Sequence, residues 1–443
     1  MKWSQFNRLL FSEKIGYFLL NTRMLSLITI NEDSYKTLMK VQKFPDDANI
    51  LLNKEDYNYL LKNKILVKDG EDEAYINQLK YRRNLKSFGT QFLSLVICPT
   101  LACNFACPYC YERNLPSHTM QEEVQEQLIN FINKYADKCK SLILNWHGGE
   151  PLIAFKTIKE IYAKLELKSQ LPISRSTMVS NGYLLTEEIC QFLEEKKLNY
   201  LQITIDGNKE THNKTRILKN GGSSFEKIIE NVDKATELMP NCRIGIRTNI
   251  GKNNREEYVE LYKELSTRWK GKNCNIYHSF VLDNGLDTNE KERFALELST
   301  EEKNDFTVHL AKNNIIQKKF LFPRLACNTH TCMDNNGIVV DPLGRLYKCW
   351  ADVGIKERSI GNLVDGIKNF GIVSQFMEGT DKFTDCKCIK CSYLPVCDGG
   401  CNLYRVGYQE KKIPYNACDI NDEGLIKYIE TYLENEKCNS IGL

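Results

Sequence analysis

From Phe92 onward, short apolar runs alternate with longer segments in which apolar residues recur every three or four positions, the pattern of repeated strand-helix units. The spacing predicts strands from Phe92 to Ile97, Leu142 to Trp146, Thr177 to Ser180, Tyr200 to Ile205, Arg243 to Thr248 and Ile276 to Leu282. Helices are predicted near Gln121 to Tyr135, Thr186 to Lys196, Phe225 to Glu237 and Arg255 to Arg268. Parallel strands need crossover connections, so six such units imply an α/β fold built as a partial (β/α)6 barrel. Its chemistry is expected at the C-terminal ends of the strands.

Residues 1 to 88 follow a different pattern. A hairpin is predicted from Ile15 to Ile30 around Asn21-Thr22-Arg23, then helices near Asp33 to Val41 and Lys54 to Lys62, then a short strand from Ile65 to Val67. That mixture suits a small winged-helix-like module, able to bind DNA, a peptide or its own barrel. A polar, helix-forming bridge runs from Asn284 to Leu325, and a terminal helix is predicted from about Asp422 to Glu434. Three regions are therefore expected: 1–88, a barrel over 89–310, and a cysteine-rich domain with a C-terminal helix over 311–443.

Composition narrows the function. The 443 residues carry 60 Lys+Arg against 57 Asp+Glu, without a block of like charge, so neither nucleic acid nor a membrane surface is the expected partner. The opening MKWSQFNRLLFSEK lacks the apolar core of a signal peptide, and no apolar run reaches the roughly 18 residues of a membrane span. A cytoplasmic location is expected. In such a compartment 18 cysteines point to metal or iron-sulfur ligation rather than disulfides. Three fall between Cys103 and Cys110 and most others between Cys327 and Cys418, whereas Cys98, Cys139, Cys190, Cys242, Cys274 and Cys438 are scattered and read as ordinary small thiols.

Cys103, Cys107 and Cys110 form CxxxCxxC in the loop after the first barrel strand, three thiolates around one point with no fourth cysteine at matching spacing. A structural zinc site is the alternative, but it would want a fourth protein ligand, and His147 at the end of the next strand is the nearest histidine. Beside that histidine lies Gly148-Gly149-Glu150-Pro151, whose glycines allow close backbone approach and whose glutamate offers an acceptor for an ammonium group. Together these motifs resemble the radical SAM superfamily, over residues 92 to about 282. In that family S-adenosylmethionine (SAM) chelates the open iron of a [4Fe-4S] cluster.

The resemblance implies that Tyr109 contacts the adenine and that the backbone at Gly148, Gly149, Glu150 and Pro151 binds the methionyl ammonium. Ser180-Asn181-Gly182 looks like the family's segment near the ribose, with serine in place of threonine. Asp206-Gly207 followed by His212, Asn213 and Arg216 is similar to a stretch of peptide-modifying members, in which Arg216 would pair with the SAM carboxylate; Asn213 stands where aspartate is usual. Downstream, Cys332-x11-Gly344-x4-Cys349 and Cys388-x2-Cys391-x5-Cys397-x3-Cys401, then Cys418, resemble the SPASM domain. Carried over, one auxiliary [4Fe-4S] cluster uses Cys327, Cys332, Cys349 and Cys401, and a second uses Cys388, Cys391, Cys397 and Cys418. Cys386 is a decoy ligand, and paired zinc knots in the same cysteines are the alternative.

By this resemblance the protein cleaves SAM reductively to a 5′-deoxyadenosyl radical that abstracts a substrate hydrogen, with three [4Fe-4S] clusters in all and a flavodoxin- or ferredoxin-type electron donor. No general base stands out among Asp206, His278 and Asp283. The N-terminal module resembles leader-binding domains, and adding a strand is a sequence-tolerant way to hold an extended peptide. The expected function is a maturase that installs a carbon-sulfur or carbon-carbon cross-link in a ribosomally made precursor peptide. Formylglycine formation of the anaerobic sulfatase-maturase kind, and a non-catalytic iron-sulfur or zinc scaffold, are the alternatives.

Overall fold

The computed structural model describes residues 1–112, 115–281, 296–326, 331–411, 418 and 420–434. The chain forms two contact units that do not follow chain order: Met1–Ser87 with Ser299–Thr329 and Glu378–Leu443, and Phe88–Leu298 with His330–Met377. Among the described residues no helix is long and apolar enough to cross a membrane. Four sequence expectations fall outside the described residues: the end of the sixth barrel strand with Asp283, the first part of the bridge, Cys327 and Cys438.

In the first unit, β1 (Lys2–Trp3) pairs antiparallel with β5 (Leu66–Val67), and β2 (Asn7–Ser12), β3 (Gly16–Asn21) and β4 (Ser26–Ile30) form an antiparallel sheet in that order. Strand alternation gives this sheet two apolar faces. Leu19 and Ile28 pack on Leu38, Val41 and Leu60 of helices Glu32–Lys43 and Lys54–Lys62. Leu10, Phe18 and Leu20 pack on Tyr393 and on Leu425 and Ile429 of helix Asp422–Leu433. The hairpin and these helices agree with the sequence reading. Helix Glu71–Ser87 was not foreseen, because its buried stripe includes Arg83, ion-paired to buried Asp381 at 2.6 Å, and a buried arginine interrupts the apolar period.

The second unit contains β6 (Phe92–Ile97), β7 (Ser141–Trp146), β8 (Ile173–Ser180), β9 (Tyr200–Thr204), β10 (Arg243–Ile250) and β11 (Cys274–Phe280), all parallel and neighbours in chain order. Helices Glu122–Asn133, Phe155–Lys168, Glu187–Glu195, Phe225–Leu238 and Tyr258–Arg268 make the crossovers. This is the expected partial (β/α)6 barrel; the crossover over Phe155–Lys168 and a short helix over Lys209–Thr215 were left unnamed by the periodicity. On β7, Leu142, Leu144 and Trp146 are fully buried beneath the helices while Ile143 and Asn145 are only half-buried on the lumen side. β12 (Gly337–Val340) then pairs parallel with β6, and β13 (Arg345–Tyr347), β14 (Gly361–Asn362) and β15 (Gly366–Ile367) continue antiparallel to a ten-stranded sheet. An exposed parallel edge on β6 is thereby covered.

Candidate active site

The loop after β6 carries Cys103, Cys107 and Cys110. Ala106 N–H donates to the Ile217 carbonyl at 2.7 Å and Lys219 N–H to the Asn104 carbonyl at 2.9 Å, so this loop forms a short bridge with the segment that follows Arg216. Phe105 N–H points at Cys103 Sγ, 3.4 Å away. Burial pushes the Cys103 thiol up to about 11 and the Cys110 thiol to about 12, and raises Cys107 as well. Burial therefore favours neutral thiols, and a cationic centre would draw out the thiolates. Among the described residues no three Cys, His, Asp or Glu side chains gather as a group that could hold a metal ion. Cysteine thiolates are the usual ligands of iron-sulfur clusters.

At the end of β7 the two glycines meet the cysteine loop directly. Gly148 has φ +114°, and a Cβ there would lie 2.3 Å from the Thr100 carbonyl; one at Gly149 would lie 2.4 Å from the Ala102 carbonyl. Gly149 N–H donates to Thr100 O at 3.2 Å and Glu150 N–H to Ala102 O at 2.8 Å. The glycines are thus required by backbone packing within the protein. The Glu150 carboxylate is fully buried and accepts from Leu152 N–H (3.0 Å), Ser180 Oγ–H (2.9 Å) and Asn181 N–H (2.7 Å). Burial raises its pKa and these three donors pull against that rise. Pro151 opens a short 3-10 turn over Pro151–Ala154, and Asn181 Nδ2 reaches Asn104 Oδ1 at 2.8 Å. Glu150 acts as a strut that holds the Ser180-Asn181 turn against the cysteine loop.

Tyr109 joins a second cluster. Its hydroxyl donates to Asp206 Oδ2 and accepts from Arg216 at 3.1 Å and from Asn249 Nδ2 at 3.2 Å. Asp206 is fully buried and its other oxygen accepts Asn249 N–H at 2.7 Å. Arg216 lies over the Phe105 ring at 5.3 Å; burial opposes its charge, but Cys107, Tyr109 and Asp206 outweigh that and hold it as a cation. Burial, then Arg216, pushes His212 down to about 3, and its Nδ1 accepts the Asp206 N–H at 3.2 Å. Asn213 Oδ1 accepts Ser224 N–H (2.9 Å) and Phe225 N–H (3.1 Å), so it closes the start of helix Phe225–Leu238.

The buried atoms Asn104 Nδ2, Arg216 Nε and His212 Nε2 have no hydrogen-bond partner among the described residues. Orphaned polar atoms grouped around a three-thiol loop suit a polar ligand that completes them. Sequence reasoning singled out Tyr109, Asp206 and Arg216 but missed Asn249, whose signal was a polar residue at an inward position near the end of a strand. His278 packs edge-on against Tyr258 and Phe280, and burial lowers it to about 4, which is a structural environment.

In the first unit, Cys388, Cys391 and Cys397 form a knuckle. Tyr393 N–H approaches Cys391 Sγ at 3.4 Å, Gly399 N–H approaches Cys397 Sγ at 3.2 Å, and Arg405 donates to Cys388 Sγ at 3.3 Å. Burial raises the Cys397 thiol, and neighbouring Cys388 and Cys391 add to the rise. Lys382 Nζ binds the carbonyls of Cys397 (2.5 Å), Leu394 (3.0 Å) and Ala326 (3.3 Å) and so closes the knuckle from below. Cys401, Cys418 and Cys386 are exposed. Cys332 and Cys349 belong to the second unit, in the connections on either side of β12 and β13.

Residues 97–265 match the family model of the radical SAM superfamily. Over 144 residues the chain is 34% identical to the serine-type anaerobic sulfatase-maturating enzyme of Bacteroides thetaiotaomicron, an alignment that spans 30% of this chain and only 33% of that enzyme. Over 382 residues it is 25% identical to the radical SAM cyclopropyl synthase TigE of Paramaledivibacter caminithermalis, covering 79% of this chain and 76% of TigE. Among solved structures, anSMEcpe with bound AdoMet matches with a TM-score of 0.59 at 20% identity, over 78% of this chain and 92% of that one. SuiB of Streptococcus suis bound to S-adenosylmethionine matches with a TM-score of 0.52 at 18% identity, over 93% and 97%. SuiB is also known bound to its precursor peptide SuiA. At these identities the structural likeness establishes the fold.

Proposed function

Because this chain carries a radical SAM domain, we propose that it is a peptide maturase that installs an intramolecular carbon-sulfur or carbon-carbon cross-link in a ribosomally made precursor peptide. A radical SAM domain works with S-adenosylmethionine and a [4Fe-4S] cluster. Together these supply a carbon-centred radical that takes a hydrogen atom from the substrate.

Cys103, Cys107 and Cys110 would hold that cluster, and the backbone from Gly148 to Pro151 with Tyr109, Ser180, Asn181 and Arg216 would hold SAM. The single observation that supports this assignment is the cysteine loop tied to the Arg216 segment amid buried Asn104, Arg216 and His212 atoms that have no partner among the described residues. Glu150 fixes the turn at Asn181, and the Asp206-Tyr109-Asn249 contacts orient the tyrosine beside the third cysteine. The later cysteines would hold two auxiliary clusters as electron acceptors, and a small electron carrier of the flavodoxin or ferredoxin type would feed the first. The N-terminal sheet with its helices would bind the leader of the precursor.

A second reading, formylglycine formation in a sulfatase, draws support from the 34% identity to a sulfatase-maturating enzyme. Anaerobic co-expression with short reading frames encoded beside the gene, followed by high-resolution mass analysis, separates the two. Loss of two hydrogens per site with fragmentation blocked between two residues supports a cross-link. An unmodified peptide, together with conversion of a sulfatase Cys or Ser to formylglycine, favours the second reading.

A further inference from the structure

The barrel lumen holds a cation, Arg247, that no carboxylate among the described residues matches. On β10, Ile244, Ile246, Thr248 and Ile250 are fully buried beneath the helices, while Arg247 and Asn249, on the alternate positions, are half-buried and face the lumen. Arg247 is aligned with Thr204 on β9 and Tyr277 on β11, two residues back from the Asn249 that touches Tyr109. Its Nε is buried without an acceptor, and among the described residues no carboxylate pairs with the guanidinium.

The surrounding groups are already engaged with one another. Tyr277 Oη–H donates to Gln202 Oε1 at 2.7 Å; Thr177 Oγ–H donates to Asn145 Oδ1 at 2.7 Å, and the Asn145 amide goes to the Leu95 carbonyl. Asp206, the carboxylate at the lumen rim, gives one oxygen to Asn249 N–H and the other to Tyr109. His147 supplies no anion: burial, then Arg247, hold it neutral with a pKa of about 4, and its Nδ1 accepts the Gly148 N–H at 2.7 Å. A partly desolvated guanidinium with no counter-charge among the described residues is costly to keep, and its planar fork matches the two oxygens of a carboxylate.

We propose that Arg247 is the anchor for a carboxylate of the substrate peptide, either an Asp or Glu side chain or the chain's C-terminal carboxylate, and that this contact sets which residue is presented beneath Tyr109. The proposal rests on the peptide-maturase reading and names the substrate chemistry of that same site. SAM also carries a carboxylate. However, the residues assigned to SAM lie in the loops at the strand ends, where Arg216 is the cation, and Arg247 lies two residues back inside a strand.

The test uses the full-length anaerobic protein, reconstituted with iron and sulfide and saturated with SAM. Three probes are measured by equilibrium dialysis: acetyl-Ala-Glu-Ala-amide, acetyl-Ala-Gln-Ala-amide, and acetyl-Ala-Ala-Ala with a free C-terminal carboxylate. Wild type should bind one carboxylate probe about tenfold tighter than the glutamine probe, as expected for a single charged hydrogen-bonded contact. Which of the two it prefers identifies a side-chain or a chain-end source. R247Q should erase the preference, R247K should retain part of it, and SAM affinity should stay unchanged in both.

Equal binding of all three probes by wild type, or binding of none, overturns the proposal, and neither result depends on a variant folding. Loss of SAM affinity in R247Q overturns it too, by assigning the arginine to the cofactor. A carboxylate preference in a protein that leaves every tested peptide and sulfatase unmodified would sink the maturase reading and leave the anchor standing.

Discussion

The Glu150 carboxylate accepts the backbone N–H of Asn181 at 2.7 Å, and so ties the end of β7 to the end of β8. With Ser180 Oγ–H and Leu152 N–H it makes three contacts in a fully buried site. Glu150→Gln keeps the shape but replaces one acceptor oxygen with a donor that faces other donors. Losing charge-assisted bonds of this kind costs about 1.5–3 kcal/mol. Anaerobic urea unfolding should report a loss of about 2 kcal/mol, and equilibrium dialysis should report weaker SAM binding; wild-type values for both would refute the strut.

The two groups of cysteines should separate in their effects. Cys107→Ala removes a ligand of the proposed SAM-bound cluster and should abolish 5′-deoxyadenosine formation, read by chromatography after dithionite reduction. Cys391→Ala should spare part of that cleavage while product formation or folding suffers. Retained cleavage in the first variant would remove these thiols from the site, and normal turnover in the second would remove the knuckle from the mechanism.

Arg405 donates to Cys388 Sγ at 3.3 Å, to Asp385 at 2.8 Å and to the Gly399 carbonyl at 2.7 Å. Hydrogen bonds to ligand sulfur stabilise the reduced, more negative form of a cluster and raise its potential. Arg405→Lys retains the charge and loses the fork. It should lower the potential of the proposed auxiliary cluster by roughly 50 mV, equivalent to about 1 kcal/mol for one electron. Potentiometry followed by electron paramagnetic resonance reads this without turnover, and an unchanged potential would leave Arg405 a purely structural clamp.

One buried histidine and two half-buried ones set an acid limit on the fold. Burial lowers His147 and His278 to about 4 and His212 to about 3, against an ordinary 6.5. The unfolded chain therefore binds more protons than the folded one below about pH 6.5. The stabilisation is complete above that pH and is lost as pH falls through 6.5 toward 4. Urea unfolding at pH 7, 6, 5 and 4.5 should show stability falling by about 1.4 kcal/mol per pH unit for each histidine involved. His278→Gln should reduce the slope by about one proton, and a flat profile would contradict the assigned burial.

How far the sequence reaches can be judged from particular elements. The six barrel strands follow from local periodicity, and their observed starts and ends lie within a few residues of those predicted. β12 escaped because four apolar residues inside a cysteine-rich stretch carry no sign of their partner, which lies more than 200 residues upstream on β6. Glu150 was recognised, but its use as an internal strut depends on donors from β8, which no local pattern reports. Gly148 and Gly149 were read as allowing close backbone approach, and the near neighbours that the described residues add are the carbonyls of Thr100 and Ala102. Asn249 and Arg247 were visible as inward positions of IGIRTNI; what they touch is decided by neighbouring strands.

β12 also gives the cysteine arrangement a measure of length. It pairs with β6 in a register that sets Val340 beside Ile97 and Gly337 beside Ser94. β6 leads into the loop with Cys103, Cys107 and Cys110, and β12 turns through β13 to Cys349. A slip of one residue would displace one group of thiols from the other by about 3.3 Å and turn every β12 side chain to the opposite face. The sheet is therefore a ruler: the span between the two sets of sulfur atoms is written in backbone hydrogen bonds, and sequence drift in the loops leaves it unaltered.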